Sequence, residues 1–387
     1  MTRRSRTLLG FAVAAVVLAL IPNLQETLDF PLFYMIFLST VFFWIAQASS
    51  WNILTGFSGY FSFGQGAFYG IGVYAVGVLV AKRGWSFAAA LPLSGILAGG
   101  AGFLLGLVVF RLRRLTGEIF ALTTLAVAFV LASLARLSPA IDGGTGIFMT
   151  GTPLPEFLGD FNTAMYRLTL MIALITLLIA YLIYDSRLGW GLFALRDDEA
   201  VAAGLGVPTF RYKMIALGTN AFLAGLIGGV WALQIGFVTI DDVFNIRVPL
   251  FVILMSVLGG MHHWMGPAVG AVIITTVTDR LNSAGLADIN QIIIGLLLVI
   301  LALAVREGVY VRMRERRITT ALTFFGILAL LLLFDITDSI ITDFAWAMVA
   351  TVLMMLVPPD VWARVTRAGS DGEGEAEQTE ELARADL

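Results

Sequence analysis

SRLGWGLFALRDDEAVAAGLGVPTFRYK, residues 186–213, is the longest polar run of the chain, and long apolar runs flank it on both sides. It carries Arg187, Arg196, Asp197, Asp198, Glu199, Arg211 and Lys213. Asp185-Ser186 or Gly191 can open a helix here, and Gly204 or Gly206 followed by Pro208 can close it. Leu192, Leu195, Glu199, Ala202, Ala203 and Leu205 give that helix a mixed face. The expectation is one short helix of about three turns, then a sharp turn before Arg211. Asp197, Asp198 and Glu199 sit early in it, where the positive end of the helix dipole favours acids. Taken alone, such a helix reads as a solvated face.

What surrounds this loop is apolar. Of 387 residues, 59% are hydrophobic and 13% charged, with a mean hydropathy of +0.90. A soluble domain carries about 25% charged residues. Apolar runs of spanning length recur roughly at 8–22, 32–54, 61–81, 87–110, 117–137, 166–184, 214–236, 248–261, 266–281, 289–305, 320–334 and 340–357. Backbone groups in a bilayer must pair internally, and the runs are continuous rather than alternating, so the spans are helices. The fold class is an all-α polytopic membrane protein: a bundle of about ten core spans with broken helices, plus a C-terminal two-helix hairpin. The short pair 248–261 and 266–281 is the candidate for broken or re-entrant helices.

Charge sets the orientation. With the N-terminus in the cytoplasm and twelve crossings, 18 Lys and Arg fall inside and 6 outside or at its edge, counted along the chain. Basic residues favour the cytoplasmic side, so both termini and 186–213 are expected there. The basic start, MTRRSRTLLG, reads as the flank of an uncleaved first span rather than a signal peptide. The chain is then expected to divide as 1–29 (first span and external loop), 30–305 (membrane core), 306–318 (basic cytoplasmic hinge), 319–358 (appended hairpin) and 359–387 (acidic tail). The tail holds seven acids between Ser370 and Leu387 against Arg384, and reads as a solvated appendage. No cysteine is present, which excludes disulfides and thiol chemistry.

Two Gly-rich stretches interrupt the spans. TGFSGYFSFGQGAFYGIGVY, residues 55–74, holds six glycines among Thr55, Ser58, Ser62 and Gln65, just after Asn52. It reads equally as a tightly packed helix and as polar groups facing a substrate path. VLGGMHHWMGPAVGAV, residues 257–272, repeats the Gly-Gly break, and its His262-His263 pair reads as an interfacial turn rather than a metal site. The two breaks fit paired repeats around a midplane site, as in many transporters. Glu118 lies at the inner end of a span, where it is interfacial, paired with Arg113 or Arg114, or functional. Thr123 and Thr124 lie a turn or two deeper, and Gln234 is the buried-polar candidate of 220–236.

In order, Trp51-Asn52 with LTGFSGYFSFGQGAFYGIGVY, RLRRLTGEIFALTTLA, the external GGTGI, GLFALRDDEAVAAGLGVPTFRYK, Gln234 with Gly236-Phe237-Val238, and VLGGMHHWMGPAVGA form a set. This set resembles the permease subunits of ABC importers for branched-chain amino acids, urea and related amides, over about residues 30–305. The resemblance implies that 186–213 is the cytoplasmic coupling element, with Arg196, Asp197, Asp198, Glu199, Ala202 and Gly206 at the contact with an ATPase. It implies a homologous permease partner in a heterodimer, two cytoplasmic ATP-binding subunits and an extracytoplasmic solute-binding protein, in a bacterial or archaeal plasma membrane. Candidate substrate-path residues are Asn52, Ser62, Gln65, Thr123, Thr124 and Gln234. No Walker A motif is present, so ATP is expected to be used by the partner, with no cofactor bound by this chain, no covalent chemistry and no nucleic acid. The substrate expected is a small neutral or zwitterionic solute, a branched-chain amino acid first and urea or an amide next. The alternative is a secondary transporter or channel, which the scarcity of mid-membrane charges disfavours. The chain departs from the family at Glu118, at Val305–Gly308 and in its C-terminal extension.

Overall fold

The computed structural model describes residues 3–28, 32–111, 117–141, 143–283 and 308–315, with a few isolated positions after 283. The expected span 289–305, the hairpin 319–358, the tail and the partners Arg113 and Arg114 lie outside the described residues. The chain divides into two compact units, residues 1–302 and 303–387. The second unit contributes one described helix, Val309–Glu315, within the expected hinge.

The first unit is a helical bundle. In chain order it holds α1 (Arg3–Leu28), α2 (Leu32–Ser58), α3 (Gln65–Val76), α4 (Phe87–Val109), α5 (Gly117–Leu137), α6 (Phe161–Tyr184), α7 (Arg187–Asp197), α8 (Glu199–Gly204), α9 (Thr209–Ile235), α10 (Ile240–Val243), α11 (Arg247–Gly259) and α12 (Gly266–Ser283). Seven stretches among the described residues are long and apolar enough to cross a membrane: α2, α3 with its continuation to Lys82, α4, α5, α6, α9, and α10 with α11. The chain is therefore an all-α, multi-pass membrane protein.

Helix α2 is the axis, buried over most of its length from Val41 to Ser58. It packs against α6, α9, α11 and α12. Apolar burial drives little association between helices already in lipid, so close backbone approach carries the packing. The crossing of α3, α4 and α9 shows this. A Cβ on Gly72 would lie 2.1 Å from the Gly225 carbonyl, and one on Gly225 would lie 2.3 Å from Cβ of Ala98. Gly259, Gly266 and Gly270 bring α11 and α12 together in the same way.

At the end opposite 186–213, Ile147–Phe148 (β1) pairs antiparallel with Phe237–Val238 (β2). Their rings, Phe148 and Phe237, are 4.4 Å apart. The Gly-rich turn before β1 places Gly143, Gly144 and Gly146 at positive φ.

The structure corrects two expectations. The apolar run 61–81 is not helical from its start: α3 begins at Gln65. Gly59, at φ +76°, ends α2, and the chain then turns back as a segment that is neither helix nor strand. The charged element is also two helices rather than one. Asp198 adopts an extended backbone (φ −160°, ψ 111°), ends α7 and caps α8 through a hydrogen bond from Val201 N at 2.9 Å. An aspartate side chain competes well for free helix N–H groups, so it starts a new helix where the backbone would otherwise continue the old one.

Candidate functional site

The site is built on residues 59–64, the segment between α2 and α3. It doubles back alongside α2. Thr55 donates to the Tyr60 carbonyl at 3.0 Å, and the Trp51 indole donates to the Ser62 carbonyl at 2.7 Å. Gln65 Nε2 then reaches Gln47 Oε1 at 2.6 Å and Ser50 Oγ at 3.0 Å. Gln47 lies 11 residues before the end of α2, or about 16 Å at 1.5 Å per residue. Helix α3 therefore starts near the middle of α2, about halfway through a bilayer core of roughly 30 Å. Backbone of this kind is tolerated at such depth because it is enclosed in protein.

The same segment touches the charged element. Lys213, on α9, is buried. Its ammonium donates to Glu199 Oε1 at 2.6 Å and to the Tyr60 hydroxyl oxygen at 3.2 Å. The Tyr60 hydroxyl donates to the other oxygen of Glu199. The ammonium also lies 4.8 Å from the Tyr60 ring centre and 5.1 Å from that of Phe110. A charge withdrawn from water needs such a shell of opposite charge, hydrogen bonds and ring faces. Arg196 forms a second tie, donating to the Gly56 carbonyl at 3.3 Å. Its Cγ lies 3.0 Å from where a Gly59 Cβ would stand, so Gly59 serves both the positive φ and the close approach.

On its far side the segment meets α5. The Phe63 N–H donates to Thr124 Oγ1 at 3.0 Å. The Tyr60 ring packs edge-on against both Phe110 and Phe120, each at 5.5 Å. Six residues thus join α2, α4, α5, α7, α8 and α9.

The charged element also presents apolar side chains outward. Leu205 is 81% exposed and Val201 58%. Trp190, 71% exposed, lines a crevice of about 510 Å³ with Leu205, Pro208 and Tyr212, between α7 and the turn after α8. Gly206, at φ +88°, makes that turn.

With this geometry established, similarity to known proteins identifies the chain. Residues 32–302 match the family described as branched-chain amino acid transport system / permease component. The chain belongs to that family. Among its relatives, the high-affinity branched-chain amino acid transport system permease protein LivM of Escherichia coli is 28% identical over 282 residues, covering 66% of this chain and 65% of the relative. LivM of Salmonella typhimurium is also 28% identical, over 284 residues with the same shares. The autoinducer 2 import system permease protein LsrC of Yersinia enterocolitica is 25% identical over 246 residues, 60% of this chain and 64% of that one. The chain thus spans 65% of the length of the two LivM proteins. No solved structure matches.

In this family member the residues singled out by sequence fall in different places. Glu199 and Arg196 belong to the network just described, Asp198 caps α8, and Asp197 pairs at 3.5 Å with its neighbour Arg196. Ala202 is buried, and Gly206 makes the turn. Asn52, Ser62, Gln65 and Thr124 are buried around the break at 59–64. Thr123 is half-buried on α5 and donates to the Ile119 carbonyl, and Gln234 is half-buried at the opposite end of α9. Glu118 is exposed in a cleft with Gly59, Phe61, Gly117 and Ala121. The two Gly-rich breaks meet: Asn52 Nδ2 lies 3.5 Å from the His263 carbonyl, and a Cβ on Gly56 would stand 2.2 Å from the Met261 carbonyl. The His263 ring packs on Tyr184 at 5.1 Å, and its Nδ1 accepts from Met265 N.

Sequence reasoning did not select Tyr60, Lys213 or Gln47. One signal was present for Lys213: it is one of two lysines in the chain, and it follows a polar run directly into an apolar helix.

Proposed function

We propose that this chain is one of two membrane subunits of an ATP-driven importer for a small neutral or zwitterionic solute, with a branched-chain amino acid as substrate. The observation that carries this reading is the α7–α8 element. It is a short capped helix pair with exposed apolar Val201 and Leu205 beside charged Asp197 and Asp198, tied by Glu199 and Arg196 to the helices behind it. Exposed apolar side chains on a charged element outside the spans suit a protein groove better than water or lipid. A cytoplasmic ATPase docking there moves α8 as a rigid body, and the packed helices follow. ATP is bound and used by that partner. The complete machine pairs this chain with a homologous permease, two ATP-binding subunits and an extracytoplasmic solute-binding protein. Both termini and α8 face the cytoplasm. Ser62, Gln65, Thr124 and Asn52 are reached when the break at 59–64 opens, and Thr123 faces the second permease.

The test is uptake into proteoliposomes holding the complete importer with its binding protein. Labelled leucine is one solute and autoinducer 2 the other, because LsrC is among the relatives. Leucine accumulation that requires internal ATP and survives collapse of ion gradients supports the reading. Accumulation that persists without ATP on an ion gradient overturns it in favour of a secondary transporter. Transport of autoinducer 2 alone keeps the importer and removes the amino acid.

A further inference from the structure

The geometry points to Tyr60 as the positioning residue that passes displacement of α8 into the mid-membrane break at 59–64 and on to α5. This rests on α8 being the docking element of the importer, and it names the route by which docking reaches the interior.

Three observations carry it. First, Tyr60 bonds both members of the Glu199–Lys213 pair, so its hydroxyl cannot keep its place if α8 shifts relative to α9. Second, Tyr60 lies on a segment that is neither helix nor strand, with left-handed Gly59 before it and the start of α3 five residues later, so the backbone here bends at lower cost than a helix. Third, the segment ends on groups that read its position. Phe63 N–H bonds Thr124 of α5, and the two N–H groups of Gln65 Nε2 lie within reach of three acceptors in α2. Gln47 Nε2 and Gln65 Oε1 are fully enclosed with no hydrogen-bond partner among the described residues. A buried polar group without a partner is costly, so an arrangement that pairs these two atoms is favoured over this one. A segment held at one end by a charged pair and at the other by an under-satisfied polar cluster has two arrangements to choose between, which transmission requires.

The test is hydrogen exchange by mass spectrometry on the complete importer, with and without a non-hydrolysable ATP analogue, comparing peptides over 199–206, 59–64 and 119–126. In the unaltered protein, nucleotide is expected to change exchange in all three. Tyr60→Phe keeps the ring against Phe110 and Phe120 but removes the hydroxyl. It is expected to keep the response at 199–206 and to weaken that at 59–64 roughly five- to tenfold, the low end of ordinary coupling. Glu199→Lys is expected to lose the 59–64 response, and Glu199→Lys combined with Lys213→Glu to regain part of it. An undiminished 59–64 response in Tyr60→Phe, or a double exchange no better than the single, overturns the route. A response at 199–206 without one at 59–64 in the unaltered protein overturns the route and leaves the docking reading standing. No response at either overturns both.

Discussion

Lys213 Nζ lies 2.6 Å from Glu199 Oε1, with 8% of the lysine side chain exposed and 34% of the glutamate. The two partners are buried unequally, and the consequences of removing them differ. Glu199→Gln leaves a buried ammonium without its counter-charge, whereas Lys213→Met leaves a carboxylate that water reaches. We expect Glu199→Gln to destabilise the detergent-solubilised protein by about 3 kcal/mol, and Lys213→Met by clearly less. Thermal unfolding followed by size-exclusion recovery measures both; an equal or reversed order would refute the assigned burial.

Asp198 separates α7 from α8 by capping the second helix. Asp198→Ala is expected to cost about 1 kcal/mol and to fray α8, while Asp198→Asn or Asp198→Ser retains the cap. Proteolysis at 197–206 in the intact protein reports the fraying. Equal cleavage rates in Asp198→Ala and the unaltered chain count against the cap.

Glycines differ by what stands where a side chain would go. Gly72→Ala forces a Cβ to 2.1 Å from a backbone oxygen of α9, whereas Gly204→Ala meets nothing within 4 Å. Overpacking of this kind costs about 1–3 kcal/mol or more, because neither backbone can yield alone. Gly72→Ala is expected to lose most of its folded yield in the membrane and Gly204→Ala none, read by fluorescence-detected size exclusion.

Partial burial, then the nearby Arg196 charge, hold the His262 imidazole below its ordinary pKa, against a smaller opposing effect of Asp197. The folded state therefore binds fewer protons than the unfolded one as pH falls past the ordinary histidine value of about 6.5. Stability from this group is complete above that pH and is lost as pH falls through the lowered value. The midpoint of unfolding should drop between pH 7.5 and 5.5, and His262→Gln should flatten part of that drop. An unchanged slope in the variant would show that His262 does not titrate in this window.

Much of this protein is local in origin and was open to reading from the chain. Apolar runs of spanning length must become helices in a bilayer, because no other conformation satisfies their backbone within one segment. The glycine clusters at 55–72 and 258–270 marked the breaks, and the polar run 186–213 marked the element that stands outside the spans. Its division at Asp198 was missed because an aspartate inside a helical pattern serves equally as an ordinary helical residue or as the cap of a new helix.

The tertiary structure alone decided which side chains meet. Tyr60 bonds Glu199 across 139 residues and Lys213 across 153. Periodicity says which face of a helix is apolar, but not the rotation and depth at which that face docks. Here those were set by backbone contacts at Gly72, Gly225 and Gly259 and by the turn at Gly59. Together they bring residues 59–64 back along α2 and place the Tyr60 hydroxyl between the two charges.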